Sequence, residues 1–486
     1  MSELTDFAII VLVVTGAFSL SILATQLGNH LPVPAPAVFL VAAAVASDVW
    51  PALRQDISVR TVERVAVIAL ILILLNGGMD TGWRRFRAAA APIMAIGIAG
   101  TFITAAVLTG AAHWLLGMDW KLAGVVGAAL APTDPAVVFS VLGGREIAGR
   151  SGTTLEGEAG VNDPAGIALM IGVIELATHD DATFLVIVQD FVVEMALGLA
   201  FGLAAARVVP ALRHVRLPSE SLYPVFVAAL AAMLYAVTSL AGGSGFLAVF
   251  VAGLFLGDAS IPYKHEIERF QGSLAGLAEI VVFIALGLTI DITHLPGETW
   301  LHGAVLALVL AVVARPLAVV LTLTGSSLSR AERVFIAWSG LKGAVPILLG
   351  AFAIIGGVDG AQGVYGLVFV VVLFSVLGQG TLVPWVAGRL AIPMDEHAVR
   401  PWQLSVGLSE KPRGVHEFSV TLDAVADGQT VAELELEPGD WVSLVVRDGR
   451  PLSPEAATRL AAGDHVFVLA DPARREPLAR LFTTAD

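Results

Sequence analysis

Hydrophobic residues of this 486-residue chain are concentrated in long apolar segments separated by short polar connections. Segments such as 122–142 and 152–176 are long enough to cross ~30 Å of hydrocarbon at ~1.5 Å per residue as α-helices. Hydropathy thus predicts an all-α polytopic membrane protein with thirteen spans, which we number 1 to 13. They are residues 7–27, 33–48, 62–79, 89–116, 122–142, 153–177, 185–208, 222–240, 243–258, 272–290, 300–324, 331–356 and 363–388.

Composition agrees with a membrane protein and excludes several other classes. Hydrophobic residues make up 56% of the chain, charged residues 14%, and the mean hydropathy is +0.82. The chain has no cysteine, which excludes disulfides, thiol catalysis and cysteine metal sites. The net charge is −14 without a basic stripe, so we expect no nucleic-acid partner. We also expect no cofactor and no enzymatic activity, and we interpret span 1 as a retained helix rather than a signal peptide.

Positive charges in the loops predict the orientation in the membrane. The positive-inside rule places the loops that are richer in lysine and arginine in the cytoplasm. Loops after odd-numbered spans carry thirteen such residues and loops after even-numbered spans carry four. The N-terminus is therefore predicted outside and the C-terminal region in the cytoplasm. The thirteen are Arg84, Arg85, Arg87, Arg145, Arg150, Arg207, Arg213, Arg216, Lys264, Arg269, Arg330, Arg333 and Arg389, and the four are Arg54, Arg60, Arg64 and Lys121.

Thirteen spans divide into two inverted six-span repeats around one linking span, so that span 5 corresponds to span 12. These two spans contain the strongest helix breakers, Pro-Thr-Asp-Pro at 132–135 and Gly-Leu-Lys-Gly-Ala-Val-Pro at 340–346. Broken helices at matching positions of two repeats indicate a transport site at mid-membrane. Half-helix N-termini carry partial positive charge and C-termini partial negative charge. Asp134 could balance the former and Lys342 the latter.

The region after span 13 has a different composition. Residues 391–414 are predicted to form a linker between a transmembrane domain, 1–390, and a small α+β cytoplasmic domain, 415–486. Alternating runs at 417–422, 441–446 and 465–470 are typical of strands, and Asp-Gly and Gly-Asp pairs mark turns between them. A closing helix is predicted at 472–481, with Asp471 as its cap. Because some seventy residues give a thin core, we expect this domain to pair with a second copy.

Span 6 contains acidic and amide side chains at a depth where they are costly and usually functional. Asp163 is the candidate for a carboxylate that holds either a proton or a monovalent cation, because burial favours the protonated form. Pro164 cannot donate a hydrogen bond to the Gly160 carbonyl, which leaves a backbone oxygen nearby. Glu158 and Asn162 lie on another helix face and are expected to tie the helix to its neighbours.

Simpler roles for Asp163 and Asp134, and the identity of the partner of Glu158, stay open at this point. Asp163 could belong to an Asx turn at a helix end, and Asp134 could merely cap a half-helix. A buried Glu158 needs a cationic partner. The two cations that lie deep in the predicted bundle spans are Lys342 and Arg315.

Three runs together resemble the signature of the cation/proton antiporter-1 family, the NhaP-like sodium or potassium/proton exchangers. They are Glu-Ala-Gly-Val-Asn-Asp at 158–163, Thr-Asp-Pro at 133–135 and Gly-Leu-Lys-Gly at 340–343. The tail, with Val-Arg-Asp-Gly at 446–449 and Ala-Gly-Asp at 462–464, resembles a TrkA-C-like module, the C-terminal half of the regulator-of-potassium-conductance domain. This combination is similar to the potassium/proton antiporter branch.

The resemblance implies thirteen helices, a homodimer and a mobile six-helix bundle that includes spans 5 and 12, and it favours Lys342 as the partner of Glu158. The chain differs from many relatives at Ala159, where they have serine, and at Asn76, where they have an acid. Thr133 is expected to compensate with its hydroxyl or carbonyl oxygen.

The sequence therefore predicts an antiporter of the bacterial plasma (inner) membrane that exchanges potassium or sodium for protons, one for one and electroneutrally. The tail is expected to regulate transport and leaves room for a small-molecule regulator. The cation and proton site is predicted from Asp163, Thr133, Asp134 and Asn162, with Arg315, Asn76 and Glu279 as candidates for accessory roles.

Two rival classes are considered. A cation channel with a cytoplasmic gating module is the main alternative, although the chain has no Thr-Val-Gly-Tyr-Gly filter run and paired broken helices suit alternating access better. An intramembrane aspartyl protease would use Asp163 and Asp258, but Phe255 interrupts the Gly-x-Gly-Asp arrangement that such enzymes resemble.

Overall fold

The computed structural model describes residues 15–16, 19, 34–50, 58–142, 145–179, 182–396, 414–422, 424–437, 439–447, 450–471 and 474–483. The chain divides into two units, Met1–His397 and Ala398–Asp486. Most of predicted span 1 and most of the predicted linker 391–414 lie outside the described residues.

The apolar segments of the first unit form α-helices throughout its described part. Eight are long and apolar enough to cross a membrane, and four shorter apolar helices accompany them in the described part of the chain. The helices are α1 Ala35–Val49, α2 Val59–Thr81, α3 Trp83–Ala88, α4 Ala90–Leu116, α5 Trp120–Ala129, α6 Pro135–Val141, α7 Gly149–Thr178, α8 Phe184–Val208, α9 Leu222–Leu240, α10 Gly245–Gly257, α11 Lys264–Leu288, α12 Gly297–Leu323, α13 Arg330–Trp338, α14 Ala344–Ile355 and α15 Ala361–Arg389.

The predicted fold class is confirmed, because each span from 2 to 13 coincides with a helix or a pair of half-helices. Span 5 is broken between α5 and α6, and span 12 between α13 and α14. Pro135 occupies the first position of α6, and Pro346 lies in the first turn of α14. A first-turn proline is tolerated because those N–H groups have no partner within the helix. The prolines therefore fix where the second half-helix starts.

The helices of this unit pack in two groups. One group, here called the scaffold, consists of α1, α2 and α8–α11, with α2 against α10 and α11. The other group, here called the bundle, consists of α4–α7 and α12–α15, with α4 against α5 and α14 against α15. Backbones approach closely where α2 crosses α10: a Cβ on Gly253 would lie 2.7 Å from the Leu75 carbonyl oxygen. Small residues allow such contacts between membrane helices.

A two-stranded antiparallel pair extends the first unit beyond its last helix. Strand β2, Met394–Glu396, pairs with β1, Arg145–Ile147, and the N–H of Ala148 donates to the Pro393 carbonyl at 3.0 Å. The chain that follows α15 is thereby attached to the loop preceding α7. Residues 394–396 are thus paired with the first unit.

The second unit contains an antiparallel sheet in the order β3-β6-β4-β5 and a short helix, α16. The elements are β3 Val415–Ser419, β4 Trp441–Arg447, β5 Arg450–Leu452, β6 His465–Leu469 and α16 Arg475–Phe482. All three predicted strands are present at the expected places. Phe418, Val466 and Phe482 belong to a core of its own. The predicted helix cap was wrong, because α16 begins at Arg475 with Arg474, not Asp471, in the cap position.

The two tail motifs meet in this unit. Arg447 of the Val-Arg-Asp-Gly run donates from Nε and Nη2 to the carboxylate of Asp464, which belongs to the Ala-Gly-Asp run, at 2.8 and 2.7 Å. Asp464 is buried. Its Oδ2 also accepts the backbone N–H of Ala461 at 2.9 Å, so this carboxylate fixes the turn that leads into β6.

Candidate functional site

The two interrupted helices cross at their breaks. The backbone N–H of Asp134, between α5 and α6, donates to the carbonyl of Leu341, between α13 and α14, at 2.9 Å. Both segments are non-helical there, so their backbone groups are available for each other. The backbone N–H of Lys342 donates to Ser375 Oγ of α15 at 3.1 Å. Four half-helix ends are thereby brought together inside the bundle.

Asp134 is placed at two helix N-termini. Its Oδ1 accepts the N–H of Ala136 at 2.9 Å, which caps α6, and its carboxylate also accepts the N–H of Ala344, the first residue of α14. Helix N-termini stabilise negative charge. Asp134 therefore caps α6 and also lies where its negative charge balances the partial positive charge of two helix N-termini.

Lys342 balances the opposite charge. Its side chain is completely buried, and Nζ donates to the carbonyls of Ala131 and Pro132 at 2.9 and 2.7 Å. These carbonyls follow the C-terminal end of α5, where the helix dipole is negative. Asp134 and Lys342 thus occupy the places that the half-helix charges predict.

Glycines 340 and 343 of the Gly-Leu-Lys-Gly run provide space for two charged side chains. A Cβ on Gly343 would lie 2.5 Å from both Cβ and Cγ of Asp134, and a Cβ on Gly340 would lie 2.7 Å from Cζ of Arg315. Contacts this short are incompatible with any side chain at either position. Glycine at these two positions therefore leaves room for the side chain of Asp134 at one and that of Arg315 at the other.

Glu158 is paired with Arg315, and the predicted pairing with Lys342 was wrong. Arg315 Nη1 and Nη2 donate to Oε1 and Oε2 of Glu158 at 2.6 and 3.1 Å, and both side chains are at most 2% exposed. The planar guanidinium matches both carboxylate oxygens, whereas an ammonium group is a point charge. Lys342 instead satisfies two backbone carbonyls, for which a single ammonium group suffices.

A chain of side chains continues from this ion pair. Thr133 Oγ1 donates to Glu158 Oε1 at 3.1 Å and accepts from Asn162 Nδ2 at 2.7 Å. Glu158 and Asn162 therefore attach α7 to α12 and to the break between α5 and α6. The Thr133 hydroxyl donates its proton within this network, while Asn162 Oδ1 is buried without a hydrogen-bond partner among the described residues.

Asp163, like Asn162, has a buried oxygen without a hydrogen-bond partner among the described residues. It is 7% exposed, and its Oδ1 has no hydrogen-bond partner in the described part of the structure. It lines a cavity of about 40 Å³ together with Asp134 and Glu279. The remaining lining residues are apolar: Ala66, Leu70, Ile73, Ala136, Val282, Ala344, Val345 and Leu348. The cavity lies between the scaffold and the bundle, because Glu279 belongs to α11 and Asp163 to α7.

The other candidates occupy different places. Asn76 donates from Nδ2 to Asp80 Oδ2 at 2.7 Å and does not line the cavity. The sequence analysis did not identify Ser375 and Gln379, which lie one turn apart in α15. Ser375 Oγ accepts the backbone N–H of Lys342, and Gln379 Nε2 donates to the carbonyl of Trp338 at the end of α13. Two polar residues in an apolar span were the signal that could have indicated them.

Both parts of the chain are similar to known proteins. Residues 9–389 match the family model of the transmembrane sodium/hydrogen exchangers, and residues 415–483 match the TrkA-C domain. The chain is similar to a protein named K(+)/H(+) antiporter NhaP2 from Shewanella sp. (strain ANA-3), with 34% identity over 476 residues, covering 96% of this chain and 82% of the relative.

Further relatives and a solved structure extend the comparison. A K(+)/H(+) antiporter NhaP from Alkalimonas amylolytica is 32% identical over 94% of this chain and 80% of its own length. A Na(+)/H(+) antiporter NhaH from Halobacillus aidingensis is 29% identical over 68% of this chain and 84% of its own length. The structure of the sodium proton antiporter MjNhaP1 from Methanocaldococcus jannaschii has a TM-score of 0.68 at 23% identity, covering 80% of this chain and 99% of that one. The chain belongs to the sodium/hydrogen exchanger family.

Proposed function

We propose that this protein is a secondary antiporter that exchanges a monovalent cation, potassium or sodium, for protons at Asp163. The observation that carries the proposal is the unpartnered, buried Oδ1 of Asp163 in a small cavity beside the crossing of two broken helices. Relatives named as K(+)/H(+) and Na(+)/H(+) antiporters support the substrate class.

The charge balance of the crossing explains why Asp163 is the residue that changes occupancy. Asp134 is compensated by helix N-termini, Lys342 by carbonyl groups and Glu158 by Arg315. Asp163 has no such partner assigned to its Oδ1. A buried carboxylate without compensation needs a proton or a cation. Occupancy by one excludes the other, which is sufficient for exchange.

The cation is proposed to bind through oxygen atoms. Hard cations prefer carboxylate, carbonyl and amide oxygens. The candidates are Asp163 and, close to it or to Asp134 in the sequence, Asn162 Oδ1, which has no partner among the described residues, and backbone oxygens at Thr133 and Gly160. Pro164 lies inside α7, so the Gly160 carbonyl lacks its usual helical donor. Asp134 contributes a second negative charge to the lining of the same cavity.

Movement between the two helix groups would expose the site alternately. The cavity is lined from both groups, so a displacement of the bundle against the scaffold opens one side and closes the other. We place the protein in the bacterial inner membrane as a homodimer, with the N-terminus outside and the tail in the cytoplasm. The asymmetry of the loop charges supports this orientation.

Liposome transport tests the proposal and its stoichiometry. Protein reconstituted with an internal pH-sensitive dye should release or take up protons on addition of potassium, sodium, lithium or rubidium. One cation for one proton moves no net charge, so we expect the rate to be insensitive to potentials clamped with valinomycin in sodium-driven assays. A channel would instead show flux that follows the potential without coupling to protons. Absence of cation-driven proton flux with all four ions would contradict the antiporter proposal.

The tail is proposed to regulate transport. An allosteric domain must contact the two transport states differently, with typical couplings of ~1–3 kcal/mol. Removing it should therefore change the rate or its pH profile by severalfold while the cation selectivity remains. Because β2 pairs with β1, the chain should be cut after His397, beyond the end of β2.

The truncation is measured by dye-monitored exchange in liposomes at several pH values, beside the full-length protein. A cut after Leu390, which also removes β2, serves as the matched control for the loss of the β1–β2 pair. If the variant cut after His397 inserts normally and has lost all exchange, or retains the wild-type rate and pH profile, the regulatory proposal is wrong.

A further inference from the structure

Glu279 faces the proposed ion site from the opposite helix group. It lies in α11, which packs against α1, α2 and α9 of the scaffold. Asp163 and Asp134, the other acidic residues of the cavity, belong to the bundle. The cavity is therefore lined by two carboxylates from the bundle and one from the scaffold.

The cavity suits one small ion. Its volume of about 40 Å³ exceeds the ~10–15 Å³ that a single water molecule requires, and all its lining residues other than the three acids are apolar. Apolar walls exclude competing water and lower the local dielectric, which strengthens the attraction between a carboxylate and a cation. A bare or partly hydrated monovalent cation would fit here.

The hydrogen-bond pattern separates Glu279 from Asp134. Asp134 is held by backbone N–H groups of α6 and α14, so its charge is already compensated. Glu279 Oε1 is buried and has no hydrogen-bond partner among the described residues, as is the case for Asp163 Oδ1. None of the described residues that line the cavity is a lysine or an arginine. Two carboxylates that each have an unsatisfied oxygen thus line one cavity, one from the bundle and one from the scaffold.

We propose that Glu279 is a second carboxylate ligand of the transported cation and contacts it only in one of the two end states. The inference rests on the proposed antiport function. When the bundle moves against the scaffold, Asp163 carries the ion with it, whereas Glu279 stays with α11. The ion is then held by two carboxylates on one side of the membrane and by one on the other, and its affinity differs between the sides.

The test compares Glu279→Gln with Glu279→Asp in inside-out and right-side-out liposome assays. Loss of one carboxylate ligand should raise the apparent KM for the cation about tenfold from the side at which Glu279 contacts it, and change the KM from the other side much less. Glu279→Asp keeps the charge and should recover much of the affinity. Glu268→Gln, the same change on the exposed end of α11, is the matched control.

The outcomes distinguish this inference from the proposed function. If the wild-type protein exchanges cations for protons and Glu279→Gln matches Glu268→Gln in KM from both sides, Glu279 does not bind the ion. An equal rise in KM from both sides would show contact in both states and overturn the one-sided role. If Glu279→Gln inserts, melts like the wild type and has no exchange, Glu279 is essential rather than an additional ligand. Failure of the wild-type protein to exchange would contradict the proposed function itself.

Discussion

Asp163→Asn should abolish cation-driven proton exchange while leaving a folded, inserted protein. Asparagine keeps the size and one oxygen of aspartate but cannot carry a proton or the negative charge. Because Oδ1 of Asp163 has no partner in the described structure, the substitution breaks no observed hydrogen bond at that atom. Proton flux in dye-loaded liposomes measures the loss, and thermal unfolding in detergent measures the integrity of the fold.

Asp359→Asn provides the matched control for this experiment. Asp359 is exposed in the connection between α14 and α15, so the same chemical change there should leave exchange at the wild-type rate. Exchange above a tenth of the wild-type rate in a correctly inserted Asp163→Asn protein would show that another group carries the proton. Glu279 and Asp134, which share the cavity, would then be the next residues to test.

The helices and their breaks could be predicted from sequence because both depend on local signals. Hydropathy alone locates the spans, and Pro135 and Pro346 mark the starts of two half-helices. The charges of half-helix ends are equally local, so the positions of Asp134 and Lys342 follow from the breaks. Asp163 stood out since an ionised group in an apolar span is costly wherever it points.

The partner of Glu158 could not be predicted because it depends on how distant helices cross. Arg315 and Lys342 are both cations in apolar spans, and the sequence does not say which one reaches α7. Arg315 directly follows a π-helical turn, Leu310–Ala314, in α12. Such a turn adds a residue and rotates everything after it relative to a 3.6-residue pattern. Similar turns at Ala95–Gly100 and Ser375–Gln379 alter the faces of α4 and α15.

The burial of Glu279 likewise could not be predicted from the sequence. A glutamate in span 10 could face lipid headgroups, another helix or an ion path, and these choices differ only in tertiary packing. The structure places it on the wall of the cavity, while Asn76, which seemed equally suitable, bonds to Asp80 instead. Function within a membrane bundle is thus decided by the direction of a few side chains.

Breaking the Glu158–Arg315 pair should cause a large loss of stability. Both side chains are at most 2% exposed, and removing one partner leaves the other charge buried without compensation, at a typical cost of ~3–5 kcal/mol. We expect Glu158→Gln or Arg315→Met each to lower the melting temperature in detergent strongly. The double variant should recover a large part of the loss, because no unpaired charge remains.

A second double-mutant cycle, between Glu158 and Lys342, tests whether Glu158 is paired specifically with Arg315. Lys342 Nζ is bound to the carbonyls of Ala131 and Pro132, so Lys342→Met should destabilise the protein through those contacts. Its effect should then be closer to additive with that of Glu158→Gln, since residues that do not interact directly show small coupling energies. Strict additivity in the Arg315 cycle together with strong coupling in the Lys342 cycle would reverse the assignment. It would mean that Glu158 is held by the lysine of the broken helix, and that the arginine only fills the space beside Gly340.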